Sequence, residues 1–197
     1  MSKTREPYYL IFKARGWLMV PPIMFCLLCH WHEVESPWIT CLLGGSVFAI
    51  GVFVRIWSQT HLHYRLRLKK DLTTTGPYQY IRNPIYIGNI LVLVGIVMMS
   101  ELIWFIPIML IWSIVIYNLV IRHEEYHLVN KYKESYITYL NTVPRWIPRL
   151  STLKNKVSSN NSPARSFLLP SIVAELHCLI WLIIPIFKEV VHYKTII

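Results

Sequence analysis

Gly76-Pro77-Tyr78-Gln79-Tyr80-Ile81-Arg82-Asn83-Pro84-Ile85-Tyr86-Ile87-Gly88 joins a basic, polar stretch to an apolar one. Asn83 is a favourable helix N-cap and Pro84 a favourable first helical residue, so the sequence predicts a helix starting at Pro84. Its free N–H groups would face the basic stretch, and such an end attracts a carboxylate or phosphate. Tyr86 falls in the first turn. Gly88 follows, where a missing side chain would let a flat ligand approach.

Outward from this stretch, the chain is dominated by apolar runs. Of 197 residues, 54% are hydrophobic and 15% charged, which favours an integral membrane protein over a soluble one. The expected fold is all-α, with about five transmembrane helices. The first run, 16–29, is short and interrupted by Pro21-Pro22, as in a kinked or re-entrant segment. The second, 38–57, contains Gly44, Gly45 and Gly51, which would permit close helix packing, and Arg55, which would snorkel to the interface. Residues 58–83 are expected to be a polar loop carrying His61 and His63. The third run, 84–99, and the fourth, 102–121, would form a helical hairpin around Ser100-Glu101. A separate amphipathic helix is expected after residue 122, with Tyr132, Tyr136 and Tyr139 on an interfacial face and Trp146 at the membrane surface. The domain reading is a core over 1–150, a linker over 151–166, and a further span within 167–197.

The formal net charge is +10. Four basic residues precede the first run, five lie in 61–84 and eight in 122–166; only Lys188 and Lys194 lie on the other side. The positive-inside rule places these basic segments in the cytoplasm. Charge so distributed is explained by anionic lipid, and no nucleic-acid partner is expected. Of the four cysteines, Cys26 and Cys29 sit in an apolar run and read as packing residues, with no metal or redox use expected of them. No cleaved signal peptide is expected, because the first run lacks a small-residue cleavage site.

A second polar stretch, Arg122-His123-Glu124-Glu125-Tyr126-His127, returns to the same side as Arg82–Gly88. Adjacent carboxylates at the end of a membrane helix must be solvated, paired or used. The stretch also matches H-E-x-x-H literally. That alternative would make the chain an intramembrane zinc protease, with His123 and His127 as ligands and Glu124 as general base.

Together the two stretches resemble the isoprenylcysteine carboxyl methyltransferase family, similar in its core to the phospholipid (phosphatidylethanolamine) N-methyltransferases. The family pattern is an R-H-P-x-Y-x-G block, a helical hairpin and a Glu-Glu pair. Here it is Arg82-Asn83-Pro84-Ile85-Tyr86-Ile87-Gly88 and Glu124-Glu125, with 35 residues between Gly88 and Glu124. Asn83 stands where the family has histidine, and asparagine carries no proton at neutral pH. The resemblance covers about residues 45–150. It implies a methyltransferase using S-adenosylmethionine (SAM), with the cofactor site on the cytoplasmic face of a bacterial inner membrane or the endoplasmic reticulum. Arg82, Asn83, Pro84, Tyr86, Gly88, Glu124 and Glu125 are the expected cofactor contacts. Arg122 and Glu124 are the expected catalytic residues, Arg122 orienting a carboxylate acceptor and Glu124 available as a base. The implied acceptor is lipophilic, an isoprenylcysteine-type carboxylate or alternatively a phospholipid amine, drawn from among the membrane lipids.

Overall fold

The computed structural model describes residues 8–31, 37–64, 71–148 and 167–196. Within them every regular element is helical. The helices are α1 (Tyr9–Ala14), α2 (Val20–Leu28), α3 (Pro37–Tyr64), α4 (Pro84–Met99), α5 (Ile106–Tyr132), α6 (Glu134–Thr142), α7 (Leu168–Glu175) and α8 (Ile183–Ile196). Among the described residues, three helical stretches are long and apolar enough to cross a membrane: Trp38–Leu62, Ile103–Tyr132 and Leu168–Lys188. Trp17–Leu28 and Pro84–Met99 are shorter apolar helices. The linker expected over 151–166 lies outside the described residues.

Helix α4, shorter than α3 and α5, is the hub. Its buried residues, from Pro84 and Tyr86 to Val92, Leu93, Ile96 and Val97, cover more than half of the circumference, and none of the rest is exposed. A helix apolar all round belongs inside a bundle. The outer faces of α3, α5 and the last helical stretch instead expose Trp38, Leu42, Phe53, Ile111 and Ile180, as suits contact with lipid.

Glycines set the closest contact. Gly44 and Gly51 on α3 are seven residues apart, as are Gly88 and Gly95 on α4. Running antiparallel, Gly44 meets Gly95 and Gly51 meets Gly88. A Cβ on Gly44 would lie 2.8 Å from the Gly95 carbonyl oxygen, and one on Gly88 would lie 2.9 Å from that of Gly51. Small residues at helical repeats let two backbones touch, and van der Waals packing then drives association in lipid. The expectation for Gly44 and Gly51 holds, whereas Gly45 faces open space. The Cβ side of Gly88 is occupied by α3, including Arg55 Cγ at 2.6 Å from a built Cβ, so its missing side chain serves helix packing.

The third and fourth runs do form a hairpin at Ser100-Glu101, with Glu101 at φ 63°. The principal partner of α4 is nevertheless α3. Pro21 and Pro22 occupy the first turn of α2 and start that helix, where missing N–H groups cost nothing. Helix α3 runs through His61, so the expected loop begins later than residue 58. Helix α5 continues unbroken to Tyr132, so the expected break at residue 122 is absent. At 1.5 Å per residue its 27 residues span about 40 Å, longer than a hydrocarbon core of about 30 Å, and Glu124 and Glu125 fall in the far third of the helix.

His61 is buried and its Nδ1 lies 3.3 Å from Thr75 Oγ1. The helix end is thereby tied to Gly76, which has φ +62° and whose built Cβ would lie 2.5 Å from three His61 ring atoms. Gly76→Ala should therefore destabilise the protein by about 1–3 kcal/mol, through strain at positive φ and displacement of the imidazole. Thermal unfolding in detergent measures this; an unchanged midpoint would contradict the packing described.

Candidate functional site

Three segments converge where α4 begins: the 76–84 turn, the far end of α5, and α6 with the strand-like residues after it. Asn83 occupies the N-cap position, but its side chain makes no capping hydrogen bond, contrary to expectation. Pro84 is in the first turn as expected. Tyr86, one turn in, donates its hydroxyl to Glu124 Oε1 at 2.7 Å and packs against the Tyr117 ring at 4.9 Å between centroids. The two motif stretches therefore meet side chain to side chain.

The neighbouring carboxylate is held differently. Glu125 Oε1 lies 3.3 Å from Arg82 Nη2, and Arg145 engages both carboxylate oxygens, with Nε 3.3 Å from Oε1 and Nη2 on Oε2. A planar guanidinium on both oxygens of a carboxylate fixes orientation as well as charge. Arg82 Nη1 also donates to the Leu140 and Val143 carbonyls, at 2.6 and 3.0 Å, and its backbone N–H to Pro144 O at 2.9 Å. Trp146 Nε1 donates to Asn118 Oδ1 at 3.2 Å. The Arg145-Trp146 pair is thus folded against α5.

The tyrosines expected on an interfacial face are core instead. Tyr136 and Tyr139 are buried with Val143, against Leu72 and Leu140. Tyr139 donates its hydroxyl to the Tyr78 carbonyl at 2.7 Å. Burial raises the Tyr78, Tyr136 and Tyr139 hydroxyls well above ordinary phenols, so all three stay protonated.

Three buried polar atoms in this turn have no hydrogen-bond partner among the described residues: Tyr78 Oη, Arg82 Nε and Asn83 Nδ2. Buried donors are rarely left unpaired, because each unmade bond costs about 1–3 kcal/mol. The two nitrogens are donors on adjacent residues at the start of α4, a set suited to an anionic group.

Beside Tyr86 and Tyr117 a cavity of about 280 Å³ enters the bundle. Arg15, Arg55, Asn89 and Tyr117 supply its polar groups, and Met19, Leu93, Ile96 and Trp181 are among its apolar ones. Asn89 Oδ1 is buried and unpartnered among the described residues. Arg55 does not snorkel outward. It is largely buried, and its Nε donates to Glu175 Oε2 at 2.6 Å.

Arg122 is exposed and makes no hydrogen bond or ion pair with Glu124 among the described residues. Its place on the α5 circumference turns it away from the Tyr86–Glu124 contact. The cations near the paired carboxylates are Arg82 and Arg145. Local sequence offered one signal for Arg145, the compact Val143-Pro144-Arg145 tail. It offered none for Tyr117 or Asn89, which look like ordinary polar residues of membrane helices. The H-E-x-x-H alternative gains no ligand set: His123 is buried against Phe12 and His127, at 4.9 and 4.6 Å between ring centroids, while Glu124 turns to Tyr86. No third ligand joins the two histidines among the described residues.

Residues 39–135, which carry α3, α4, α5 and both motif stretches, match the model of the phospholipid methyltransferase family. That core, just under half of the chain, is similar to the family. Its members are membrane methyltransferases, and the isoprenylcysteine-type resemblance falls within the same related group. Among curated relatives, the nickel-cobalt-cadmium resistance protein NccN of Alcaligenes xylosoxydans xylosoxydans is 29% identical over 147 residues, covering 71% of this chain and 66% of the relative, just under two thirds of its length. The cobalt-zinc-cadmium resistance protein CzcN of Cupriavidus metallidurans is 27% identical over 163 residues, covering 79% of this chain and 73% of the relative. No solved structure matches the chain significantly.

Proposed function

We propose that the chain is a multi-pass membrane enzyme that transfers a methyl group from SAM to a lipophilic acceptor carrying a carboxylate. The observation that carries this reading is the union of the two family stretches, with Tyr86 Oη donating to Glu124 at 2.7 Å and Arg82 beside Glu125 at 3.3 Å.

The residues present fit SAM. Its amino-acid carboxylate needs donors, and Arg82 Nε and Asn83 Nδ2 are buried donors awaiting a partner. Its positively charged groups need an acidic neighbour, which Glu124 offers while Tyr86 holds the carboxylate in one orientation. Bound SAM would supply an electrophilic methyl on a sulfonium centre. This chain's part is alignment and exclusion of water, which can account for much of a displacement barrier. Asn83 in place of histidine suits a binding role, as it needs no titratable proton.

The acceptor reading rests on the adjoining cavity. With Arg55 paired to Glu175, Arg15 is the cation of this lining that favours an anionic head over a phospholipid amine, and the apolar walls suit a hydrocarbon tail. A carboxylate acceptor is already ionised at neutral pH and needs no base. The basic segments put this site at the cytoplasmic face, so that the acceptor enters from the bilayer and SAM from water. The relatives' names tie them to resistance to nickel, cobalt, zinc and cadmium. We extend that setting to this chain as well: methylation of a membrane acceptor in cells exposed to those metals.

The test is transfer of labelled methyl from SAM into membrane lipid extracts, with SAM binding followed by calorimetry. Tyr86→Phe should weaken SAM binding by about tenfold, because it leaves the buried Glu124 carboxylate without its donor, and Glu124→Gln by more, because it removes the negative charge offered to the cationic cofactor. Full binding and transfer in both variants would refute the site. Label in an amine product would refute the carboxylate acceptor but keep the enzyme.

A further inference from the structure

Near the join between α7 and α8 the chain is wound as a 3-10 helix over Leu176–Leu182. In that winding residues three apart eclipse, which stacks Cys178 on Glu175. Cys178 Sγ lies 3.4 Å from Glu175 Oε2 and 3.9 Å from His177 Nε2. One ligand atom from each of the three residues lies within 4.8 Å of the other two. Among the described residues this is the one such group of three.

We propose that Glu175, His177 and Cys178 bind one divalent transition-metal ion of the zinc, cobalt or cadmium type. Thiolate and imidazole select these ions over magnesium or calcium, which prefer oxygen donors. The supporting contacts are those of a ligand set. His177 Nδ1 lies 2.6 Å from the Ala174 carbonyl, which fixes that nitrogen as the protonated one and leaves the Nε2 lone pair toward Cys178. Ligating histidines commonly donate their other N–H to a backbone carbonyl in this way. Both contacts of the Glu175 carboxylate described above use Oε2, toward Arg55 and Cys178. Its Oε1 makes no hydrogen bond among the described residues, so Arg55 can hold one oxygen while the other meets the ion. Metal uptake replaces the Cys178 thiol proton, which leaves to solvent.

Three protein ligands leave a fourth tetrahedral position open, the arrangement of a metal that also meets a small molecule. His177 and Cys178 line the 280 Å³ cavity beside Tyr117. The open position therefore faces the same space as Arg15 and Asn89. The positive charge that remains after Arg55 is paired favours an anionic fourth ligand, hydroxide or carboxylate.

The experiment uses the untagged full chain in detergent, stripped with chelator and titrated with Co²⁺ alone. One cobalt per chain is expected, with tetrahedral visible bands, a thiolate-to-cobalt charge-transfer band and no competition from Mg²⁺. Cys178→Ser should abolish the charge-transfer band, and His177→Ala should weaken binding at least about tenfold. Cys41→Ser and His127→Ala should change neither. Failure of the native chain to retain cobalt overturns the proposal, as does a charge-transfer band that survives Cys178→Ser or disappears in Cys41→Ser. Should Cys178→Ser lose its monodisperse state, His177→Ala decides alone, because that side chain is exposed. None of these readings depends on methyl transfer, so the proposal stands or falls apart from it.

Discussion

Leucine at Gly44 should cost the protein much of its stability, and leucine at the next position almost none. A Cβ on Gly44 would sit 2.8 Å from the Gly95 oxygen and the Met99 backbone nitrogen, and main-chain atoms cannot swing aside. The two helices would have to part along their whole contact, because Gly51 and Gly88 close the same seam one repeat away. A penalty of about 3 kcal/mol is the expected scale for forced overpacking in a tight interior. Gly45 has no atom within 4 Å of a built Cβ, and a leucine there would extend outward. The pair of variants shares composition, helix and depth, so the difference isolates packing. Thermal unfolding and monodispersity in matched detergent measure it. Equal loss in both variants would mean that α3 does not meet α4 through these glycines.

Glu125→Ala is the second large effect expected. It would leave two half-buried guanidinium groups, Arg82 and Arg145, without their shared carboxylate. Removing one partner of a buried ion pair typically costs about 3–5 kcal/mol, most of it the stranded charge. The lower end is expected here, because Arg145 retains some solvent contact and Asn118 Oδ1 lies 3.5 Å from its Nη1. The damage should spread to residues 140–146, which Arg82 holds by their carbonyls. Limited proteolysis after Leu140 should therefore accelerate along with the fall in melting temperature. Arg122→Ala, an exposed change on the same helix, should stay within about 0.5 kcal/mol of the parent. A Glu125→Ala variant as stable as Arg122→Ala would remove the cluster from the account.

What the sequence made legible was decided by range. Apolar runs report burial in lipid directly, and Asn83-Pro84 marked the start of α4 because those preferences act within one turn. Glu124 could be placed near Tyr86 only by resemblance to a family pattern, since nothing local joins residues 38 apart. Polar residues were read as solvated by default, and this default failed at His61, Tyr136 and Tyr139. Tyr139 and His61 reach partners distant in sequence, the Tyr78 carbonyl and Thr75 Oγ1, while the Tyr136 ring packs with Tyr139 and Val143. Gly88 was read for what a ligand would need, although its spacing of seven from Gly95 already repeated that of Gly44 and Gly51. Arg55 and Glu175, 120 residues apart, carried only the signal that a charge within an apolar stretch wants a partner.

The last helical stretch is fastened at two points. Glu175 grips Arg55 near one end, and Lys188 Nζ donates to the Ser100 carbonyl, at 2.6 Å, near the other. The thirteen steps between them, seven of them in the steeper 3-10 winding, span about 23 Å. The segment thus acts as a gauge block cut to the distance between the middle of α3 and the outer hairpin turn. Hydropathy alone would tolerate one residue more or fewer in that interval. The gauge does not, because a single step turns Lys188 by about 100° and lifts one fastening whenever the other is kept.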